Sequence, residues 1–354
     1  MKTVYVAMSG GVDSSVAAAL LVKEGYDVTG VFFKPWTPTP PDLPLNLRGG
    51  AVGFCNWQQD RLDAMRVAAK LKISFKTWDF SLEYGKKVAD YMVEGYRAGI
   101  TPNPDVMCNK EIKFGLFLQR ALEEGADFIA TGHYAITKNH KLYKAKDKNK
   151  DQTYFLWTLT QDQLKHCLFP IGDYTKPEVR KLAKKYGLAT ATKKDSQGVC
   201  FVGELDMHDF LREYIKPVTG EIVCDGRIVG HHDGASYYTI GQRHGLNITI
   251  GGGPYYVVKK NIKKNIIYVS KFRMTNDEFL INDVNVINAS KKLPKNIQVQ
   301  IRYRAPAVPA TLDIRHSAFV IRASRPLDEV AEGQSAVMYS GQEVLGGGIF
   351  QSSH

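Results

Sequence analysis

The apolar residues near the amino terminus fall into short runs separated by glycine-rich turns, a pattern that predicts a parallel α/β sheet. The β-rich run of residues 3–8 is followed by the loop Ser9–Ser15 and then by an apolar stretch, residues 16–22, that favours a helix. A second buried strand is predicted over residues 26–33. Strand, helix and strand in this order make one βαβ unit, whose strands lie parallel.

The same α/β pattern continues through the first part of the chain. Helical spacing of apolar residues predicts helices over residues 60–71 and 113–124, and strands are expected near 74–79 and 128–130. A further helix is expected to begin in the segment Thr175–Glu178, which has the Thr-x-x-Glu spacing of a capping box.

Further along the chain, helical spacing gives way to alternation. Residues 222–229 contain a hairpin signal, an Asp-Gly turn between two apolar runs, and residues 280–354 alternate in polarity as antiparallel strands do. We therefore predict an α/β protein with an N-terminal parallel-sheet domain (residues 1–212), a small mixed central domain (213–276) and a C-terminal antiparallel β-barrel (277–354).

The composition is that of a globular protein with excess positive charge. The chain has 354 residues, 44% hydrophobic and 23% charged, which suits two or three domains with buried cores. No apolar run approaches the roughly 20 residues of a membrane span, and no signal peptide is recognisable, so we expect a cytoplasmic location. The net charge of +11 favours a polyanionic partner, although a soluble protein of high pI would show the same excess. Lysines concentrate in residues 138–150 and 259–273, which suit either phosphate groups or a solvated surface.

The loop Ser9–Ser15 has the composition of a phosphate cradle. Gly10 and Gly11 let bare backbone amides approach an anion, Ser14 adds a hydroxyl, and the following helix adds its N-terminal N–H groups. A Walker loop would carry a lysine before its Ser or Thr, and none is present here. The loop is therefore predicted to hold the pyrophosphate of an ATP that is split at its α-phosphorus, with a structural turn as the alternative. Asp13 is expected either to bind Mg²⁺ or to cap the helix.

Five cysteines are present, and their spacing argues against a zinc site or a disulfide framework. No two lie closer in sequence than 24 residues, the separation of Cys200 and Cys224. Cys108 is expected near a helix N-terminus with Lys110 close by, and both features favour a thiolate. Asp105 is near enough in sequence to shuttle a proton. The alternative is a buried structural cysteine beside an N-capping aspartate.

The other cysteines divide into two kinds. Cys200 lies within residues 195–204 with a glycine on each side, which indicates an exposed, mobile turn. Cys55, Cys167 and Cys224 lie on apolar or strand-like segments, where structural roles are expected.

Taken together, these motifs and several others resemble those of the tRNA-specific 2-thiouridylase family of PP-loop ATP pyrophosphatases. The matching segments follow the family's order and span nearly the whole chain: residues 9–15, 103–114, 131–135, 150–156, 195–201, 238–246 and 302–304. The two cysteine segments are the specific part, because many ATP-using enzymes share the glycine loop. The resemblance implies that the N-terminal domain has the PP-loop (HUP-like) fold.

The resemblance also implies ATP-dependent 2-thiolation of the wobble uridine (U34) of tRNAs for Lys, Glu and Gln. ATP, with Mg²⁺, would adenylate O2 of uracil and release pyrophosphate. A persulfide on Cys200 would supply sulfur, Cys108 would release it through a Cys108–Cys200 disulfide, and AMP would leave, with Asp105 as acid or base. The implied partners are the tRNA anticodon arm and a persulfide-carrying sulfur donor protein, and we expect a monomer.

Binding residues follow from the resemblance position by position. The implied ATP contacts are Ala7, Met8, Ser9, Gly10, Gly11, Val12, Asp13, Ser14, Phe33 and Gly132. The implied tRNA contacts are Asn103, Pro104, Asp105, His133, Lys150, Asp151, Gln152, Tyr303, Arg304 and Gln342, the first three at the target base. A turn histidine is the alternative for His133, and a solvated strand face for Arg304. The proline-rich stretch 35–53 departs from the family, so no contact is placed there.

Three rival hypotheses stay open at this point. The loop would equally serve a ligase with an amine acceptor, such as a lysidine, GMP or argininosuccinate synthetase. A non-enzymatic RNA-binding protein could retain a relict nucleotide site. Thiolation could also proceed through an iron–sulfur cluster held by Asp105, Cys108 and Cys200, because no sequence spacing excludes it.

Overall fold

The computed structural model describes residues 1–36, 57–194, 207–290, 292–315, 318–328 and 331–351. Its first part is a parallel five-stranded sheet of order β3-β2-β1-β4-β7, with an antiparallel hairpin, β5–β6, beside it. The strands are β1 (Thr3–Ala7), β2 (Asp27–Lys34), β3 (Ser74–Asp79), β4 (Phe128–Ala130), β5 (Ile136–Lys138), β6 (Lys141–Tyr143) and β7 (Cys167–Leu168). The predicted parallel α/β domain is thereby confirmed.

The helices of the described residues are α1 (Val12–Lys23), α2 (Trp57–Leu71), α3 (Ser81–Tyr84), α4 (Asp90–Ala98), α5 (Pro104–Met107), α6 (Phe117–Glu123), α7 (Gln161–Leu164), α8 (Lys176–Lys185) and α9 (Met207–Tyr214). Helices such as α1, α2 and α8 pack on this sheet, as the near-continuous apolar sequence of its central strands requires, whereas α9 packs with the core of the central domain. Wider, π-helical turns span Gly85–Ala89 and Cys108–Leu116, and 3-10 turns span Thr153–Phe155 and Ala235–Tyr237. The sequence pattern did not predict the π-helical turns.

The central part is a four-stranded sheet of order β10-β11-β8-β9. Its strands are β8 (Gly220–Cys224), β9 (Arg227–His232), β10 (Tyr256–Asn261) and β11 (Ile266–Ser270). The predicted Asp-Gly hairpin joins β8 to β9. Asp225 and Gly226 have φ angles of +48° and +76°, as a tight hairpin turn with two left-handed residues requires.

The C-terminal strands form a closed antiparallel barrel of order β12-β15-β14-β13-β16-β17, closed by pairing of β12 with β17. They are β12 (Thr275–Val286), β13 (Asn296–Gln300), β14 (Val308–Arg315), β15 (Ala318–Asp328), β16 (Ser335–Ser340) and β17 (Glu343–Gln351). Strand β17 also pairs with β6, with Val344 opposite Leu142. The hairpin of the first domain therefore extends the sheet of the barrel and fixes the barrel against it.

Among the described residues, no helix has the length and apolar character needed to cross a membrane.

Helix α8 begins with the predicted cap. Glu178 Oε2 accepts hydrogen bonds from the Thr175 backbone amide (2.6 Å) and hydroxyl (3.0 Å), and Lys146 Nζ lies 2.9 Å from Oε1. The Thr175 amide, followed by Lys146 and the Thr175 hydroxyl, lowers the pKa of Glu178 from 4.5 to about 2. The cap fixes where α8 starts and so places its first residue, Lys176.

We expect Glu178→Gln to remove a stabilisation that depends on pH. Because the pKa is lowered in the folded state, the charged cap stabilises the protein above its ordinary pKa of 4.5, and this advantage disappears as the pH falls towards about 2. Thermal unfolding of both proteins across that range is the measurement. A gap between the two melting temperatures that stays constant over the range would contradict the expectation.

Candidate active site

The glycine loop joins the carboxyl end of β1 to the N-terminus of α1. Gly10 has φ of +74°, and a Cβ there would lie 2.2 Å from the carbonyl oxygen of Asp60, so only glycine fits. Ser9 N donates to Ser14 Oγ (3.2 Å), and Ser14 Oγ donates to the Gly11 carbonyl (3.3 Å), which fixes the curvature of the loop. No side chain among the described residues caps α1. The first N–H groups of the helix are therefore suited to an anion.

Gly132 lies directly against this loop. It follows β4, the neighbour of β1 in the sheet, and a Cβ on it would lie 2.6 Å from Ser14 N and 2.8 Å from the carbonyl carbon of Asp13. The backbone of Gly132 therefore packs against the backbone of the glycine loop, and a Cβ on residue 132 could not be accommodated by a side-chain movement. The sequence had predicted both segments as ATP contacts, and the fold brings them together.

Asp13 pairs with a lysine that the sequence analysis missed. Lys176 Nζ lies 2.8 Å from each carboxylate oxygen of Asp13, and Tyr134 Oη donates to Oδ1 (2.9 Å). The pair is largely enclosed, since the side chain of Lys176 is 11% exposed and that of Asp13 32%. Asp13 does not cap α1. Lys176 therefore brings to the cradle, from α8, a positive charge that the loop itself lacks.

Lys176→Met is expected to lower ATP-dependent pyrophosphate release by roughly 10- to 100-fold. The reason is the loss of charged hydrogen bonds worth about 1.5–3 kcal/mol, which would leave the Asp13 carboxylate without its lysine at the site where the phosphates are predicted to bind. Steady-state kinetics with ATP varied is the measurement. Lys181→Met, an exposed position on the same helix, is the matched control. Equal rates for the two variants would contradict the expectation.

Cys108 lies in the second turn of a continuous helix that begins at Pro104. The capping residue is Asn103, whose Oδ1 accepts from Val106 N (3.3 Å), so the N-capping aspartate considered as the alternative is not found. Asp105 lies in the first turn of α5 and is partly exposed. Cys108 is fully buried and begins the π-helical stretch, a rare widening that is frequent at functional sites.

All three domains meet at Thr101, just before residues 103–108. Thr101 N donates to the carbonyl of Glu332 (2.8 Å), and Gln334 Nε2 donates to the Thr101 carbonyl (2.8 Å), both from the barrel domain. The hydroxyl of Thr101 lies 3.3 Å from that of Thr239 in the central domain. The position of residues 103–108 therefore depends on how both accessory domains pack.

A cavity of about 570 Å³ opens beside the same segment, between the first domain and the barrel. Asn103, Met107 and Lys110 line one side, and Asn285 and Ser335 line the other. The volume lies in the range of small-ligand sites, large enough for a nucleobase.

Phe33 and His133 occupy interior positions. Phe33 is 8% exposed, and its ring packs edge-on against Phe80 (5.5 Å) and Phe117 (4.8 Å), in the same core cluster as Cys108. His133 is also 8% exposed, and its Nδ1 lies 2.8 Å from Thr131 Oγ1. Burial lowers the pKa of His133 well below its ordinary value, so the ring is neutral at physiological pH. Their roles as ATP and tRNA contacts stay predictions.

Of the predicted tRNA contacts at residues 150–152, Asp151 and Gln152 accept hydrogen bonds from the backbone of nearby segments. The Asp151 carboxylate accepts hydrogen bonds from Ala145 N (3.1 Å), Thr153 N (3.3 Å) and Thr153 Oγ1 (2.9 Å), and burial raises its pKa. Gln152 Oε1 accepts from Tyr134 N (2.9 Å), which supports the tyrosine that binds Asp13. Lys150 is partly exposed.

The predicted tRNA contacts of the barrel are at its surface. Tyr303 is partly exposed, and Arg304 and Gln342 are exposed. The Gln342 carbonyl accepts from Lys144 N (2.9 Å), so it lies beside the first domain. Both lysine runs are partly paired within the protein. Lys141 bonds Glu343, and the partly exposed Lys260 donates to the Tyr238 carbonyl.

The described residues include three of the five cysteines. Cys108, Cys167 and Cys224 are buried, and burial raises the pKa of the Cys167 and Cys224 thiols. Cys200 and Cys55 lie outside the described residues, as do the proline-rich residues 37–53. Within the described ranges, no group of three or more His, Cys, Asp or Glu side chains could hold a metal ion.

The parallel sheet with its glycine loop defines the class of the protein as a HUP-domain protein of the PP-loop type with two β-domains appended. Three family models match in order: the tRNA methyl transferase HUP domain over residues 2–204, the tRNA methyl transferase PRC-barrel domain over 208–271 and the aminomethyltransferase beta-barrel domain over 276–350.

Full-length relatives narrow the class to a family. The chain is 44% identical over 363 residues to the tRNA-specific 2-thiouridylase MnmA of Akkermansia muciniphila, covering 99% of each chain. It is 45% identical to the MnmA of Listeria monocytogenes, covering 99% of this chain and 94% of the other. The chain therefore belongs to the tRNA-specific 2-thiouridylase family, a family of tRNA sulfurtransferases. A solved 4-thiouridine synthetase–RNA complex with bound ATP is 18% identical, with 57% of this chain and 46% of that chain covered and a TM-score of 0.34, too distant to support an argument.

Proposed function

We propose that this protein uses ATP to replace O2 of the wobble uridine of tRNA with sulfur. One observation carries the proposal. The glycine loop and the Cys108 segment belong to one domain, in a chain that aligns end to end with 2-thiouridylases. Thiolation needs ATP, because the uracil carbonyl oxygen leaves readily only after it is joined to AMP, and it needs a thiol to deliver the sulfur.

The first half of the reaction takes place at the loop. The amides of Gly10, Gly11 and the start of α1 hold the phosphates, with Lys176 and Asp13 beside them. Mg²⁺ bound to those phosphates would neutralise part of their charge. Both oxygens of Asp13 are bonded to Lys176, so we assign Asp13 to holding that lysine in place. The uracil O2 attacks the α-phosphorus, and pyrophosphate leaves.

The second half needs two thiols. The Cys108 thiolate attacks Sγ of the Cys200 persulfide, which forms a Cys108–Cys200 disulfide and releases hydrosulfide. Hydrosulfide adds to C2 of the adenylated uracil, and AMP leaves with the former O2. Asp105, in the first turn of α5, exchanges the proton, and Asn103 and Pro104 lie at the target base. A dithiol reductant restores both cysteines, and a persulfide-carrying donor protein reloads Cys200.

The test is incubation with ATP, Mg²⁺, a persulfide donor and tRNA transcripts for Lys, Glu and Gln, with nucleosides read by mass spectrometry. We expect 2-thiouridine at position 34 and one AMP for each sulfur incorporated. Pyrophosphate release without thiolated nucleoside, accompanied by an amine adduct, would support a ligase instead. Activity that depends on bound iron after anaerobic purification would support the cluster mechanism.

A further inference from the structure

An aromatic pair from two domains lies next to the Cys108 segment. Phe155 ends the 3-10 turn Thr153–Phe155 of the first domain, and Tyr303 belongs to the barrel domain. Their ring centroids are 4.6 Å apart with an interplanar angle of 50°. Both residues are partly exposed, and the exposed Arg302 and Arg304 flank Tyr303 in sequence.

The pair is held from both sides. Asn109, the residue after Cys108, donates from Nδ2 to the Phe155 carbonyl (3.2 Å). The neighbouring Tyr154 places its hydroxyl 3.2 Å from the Ile301 carbonyl, two residues before Tyr303. Phe155 is therefore tied both to the cysteine segment and to the strand end that carries its aromatic partner.

Arg304 adopts a backbone conformation that arginine rarely takes. Its φ of +63° is left-handed, and its guanidinium carbon lies 5.2 Å from the Tyr303 ring centroid. Such conformations persist where the surroundings impose them and concentrate at functional sites. The turn that contains Arg304 closes with a hydrogen bond from Ala305 N to the Arg302 carbonyl (3.1 Å). The result is a cation held against an accessible aromatic ring.

We propose that Phe155 and Tyr303 form a stacking platform for one unpaired base of the anticodon loop, with Arg302 and Arg304 at the flanking phosphates. Accessible aromatic rings beside arginines are the chemistry by which proteins bind unstacked nucleobases. The proposal rests on the proposed function, since it takes RNA as the substrate, and it adds Phe155 as a substrate-positioning residue. A platform next to Cys108 would keep the anticodon loop open while the wobble base enters the site.

The experiment uses the full chain and an anticodon stem-loop RNA in which 2-aminopurine replaces each loop nucleotide in turn, except the wobble position. We expect the protein to quench the probe at one position. Phe155→Leu keeps an apolar side chain without a π face, and it should weaken that quenching and weaken RNA binding by roughly 5- to 150-fold, the loss of one stacked base. Phe155→Trp should restore both.

The matched control is Phe128→Leu. Phe128 also belongs to a partly exposed aromatic pair, with Tyr26 at 6.4 Å, and Lys2 lies 5.0 Å from its ring, but it begins β4 at the edge of the sheet opposite the glycine loop. We expect it to quench and bind like the wild type.

The outcomes separate this proposal from the thiolation proposal. Quenching by Phe155→Leu equal to that of the wild type, or equal losses in Phe128→Leu, would overturn the platform even if thiolation proceeds. Quenching that depends on Phe155 in a protein that forms no 2-thiouridine would support the platform and overturn the proposed reaction. A wild-type protein that binds no RNA would overturn both.

Discussion

Cys108→Ser should abolish thiolation of tRNA while leaving tRNA binding close to that of the wild type. A serine hydroxyl is not ionised near neutral pH and cannot form the proposed Cys108–Cys200 disulfide, so turnover should fall by a factor on the order of 10³ or more. The proposed adenylation of uracil needs no thiol. Pyrophosphate release in a single turnover should therefore persist, which separates a chemical role from a general loss of the site.

The control for this substitution is Cys167→Ser. Cys167 is buried like Cys108, on β7 of the same domain, so serine at either position buries a hydroxyl in place of a thiol at a similar cost of about 1–3 kcal/mol. Thermal unfolding should show similar losses for both variants, and only Cys108→Ser should lose 2-thiouridine formation. Full thiolation by Cys108→Ser would favour an amine ligase or another sulfur route.

Gly132→Ala should remove ATP-dependent pyrophosphate release. The added Cβ would lie 2.6 Å from Ser14 N, a contact between main-chain segments that only a shift of the glycine loop can relieve. Displacement of a phosphate cradle by about 1 Å costs roughly 10²-fold in rate or more. The measurement is kcat/KM for ATP, together with ATP affinity by calorimetry.

Gly125→Ala is the matched control for the glycine substitution. Gly125 has φ of +88°, with nothing within 4 Å of its added Cβ, so alanine there introduces backbone strain of about 1 kcal/mol without a clash. It should lower the melting temperature and leave ATP turnover unchanged. If Gly132→Ala turned over ATP like Gly125→Ala, the contact between the loop and the β4 segment would not matter to the nucleotide site.

The regular parts of the fold were accessible from the sequence because they follow from periodicity and turn chemistry. The βαβ start, the capping box before Lys176 and the Asp-Gly hairpin at residues 225–226 depend on neighbours within a few positions of the chain. The barrel strands alternate in polarity because one face is buried.

The parts that were missed depend on tertiary packing. Lys176 reaches Asp13 across 163 positions, and Phe155 reaches Tyr303 across two domains. A faint signal existed for Lys176, because a lysine in the first turn of a helix opposes the helix dipole and calls for a partner. The burial of His133 had no such signal, since a histidine after a strand suits a surface turn as well as a core.

The most direct measurement follows the fate of the uracil oxygen. A tRNA transcript carrying ¹⁸O at O2 of the wobble uridine is incubated with the protein, ATP, Mg²⁺ and a persulfide donor, and AMP is analysed by mass spectrometry. The account predicts one ¹⁸O in AMP for each 2-thiouridine formed and none in pyrophosphate. Thiolation with unlabelled AMP, or ¹⁸O retained in the nucleoside while ATP is consumed, would contradict it.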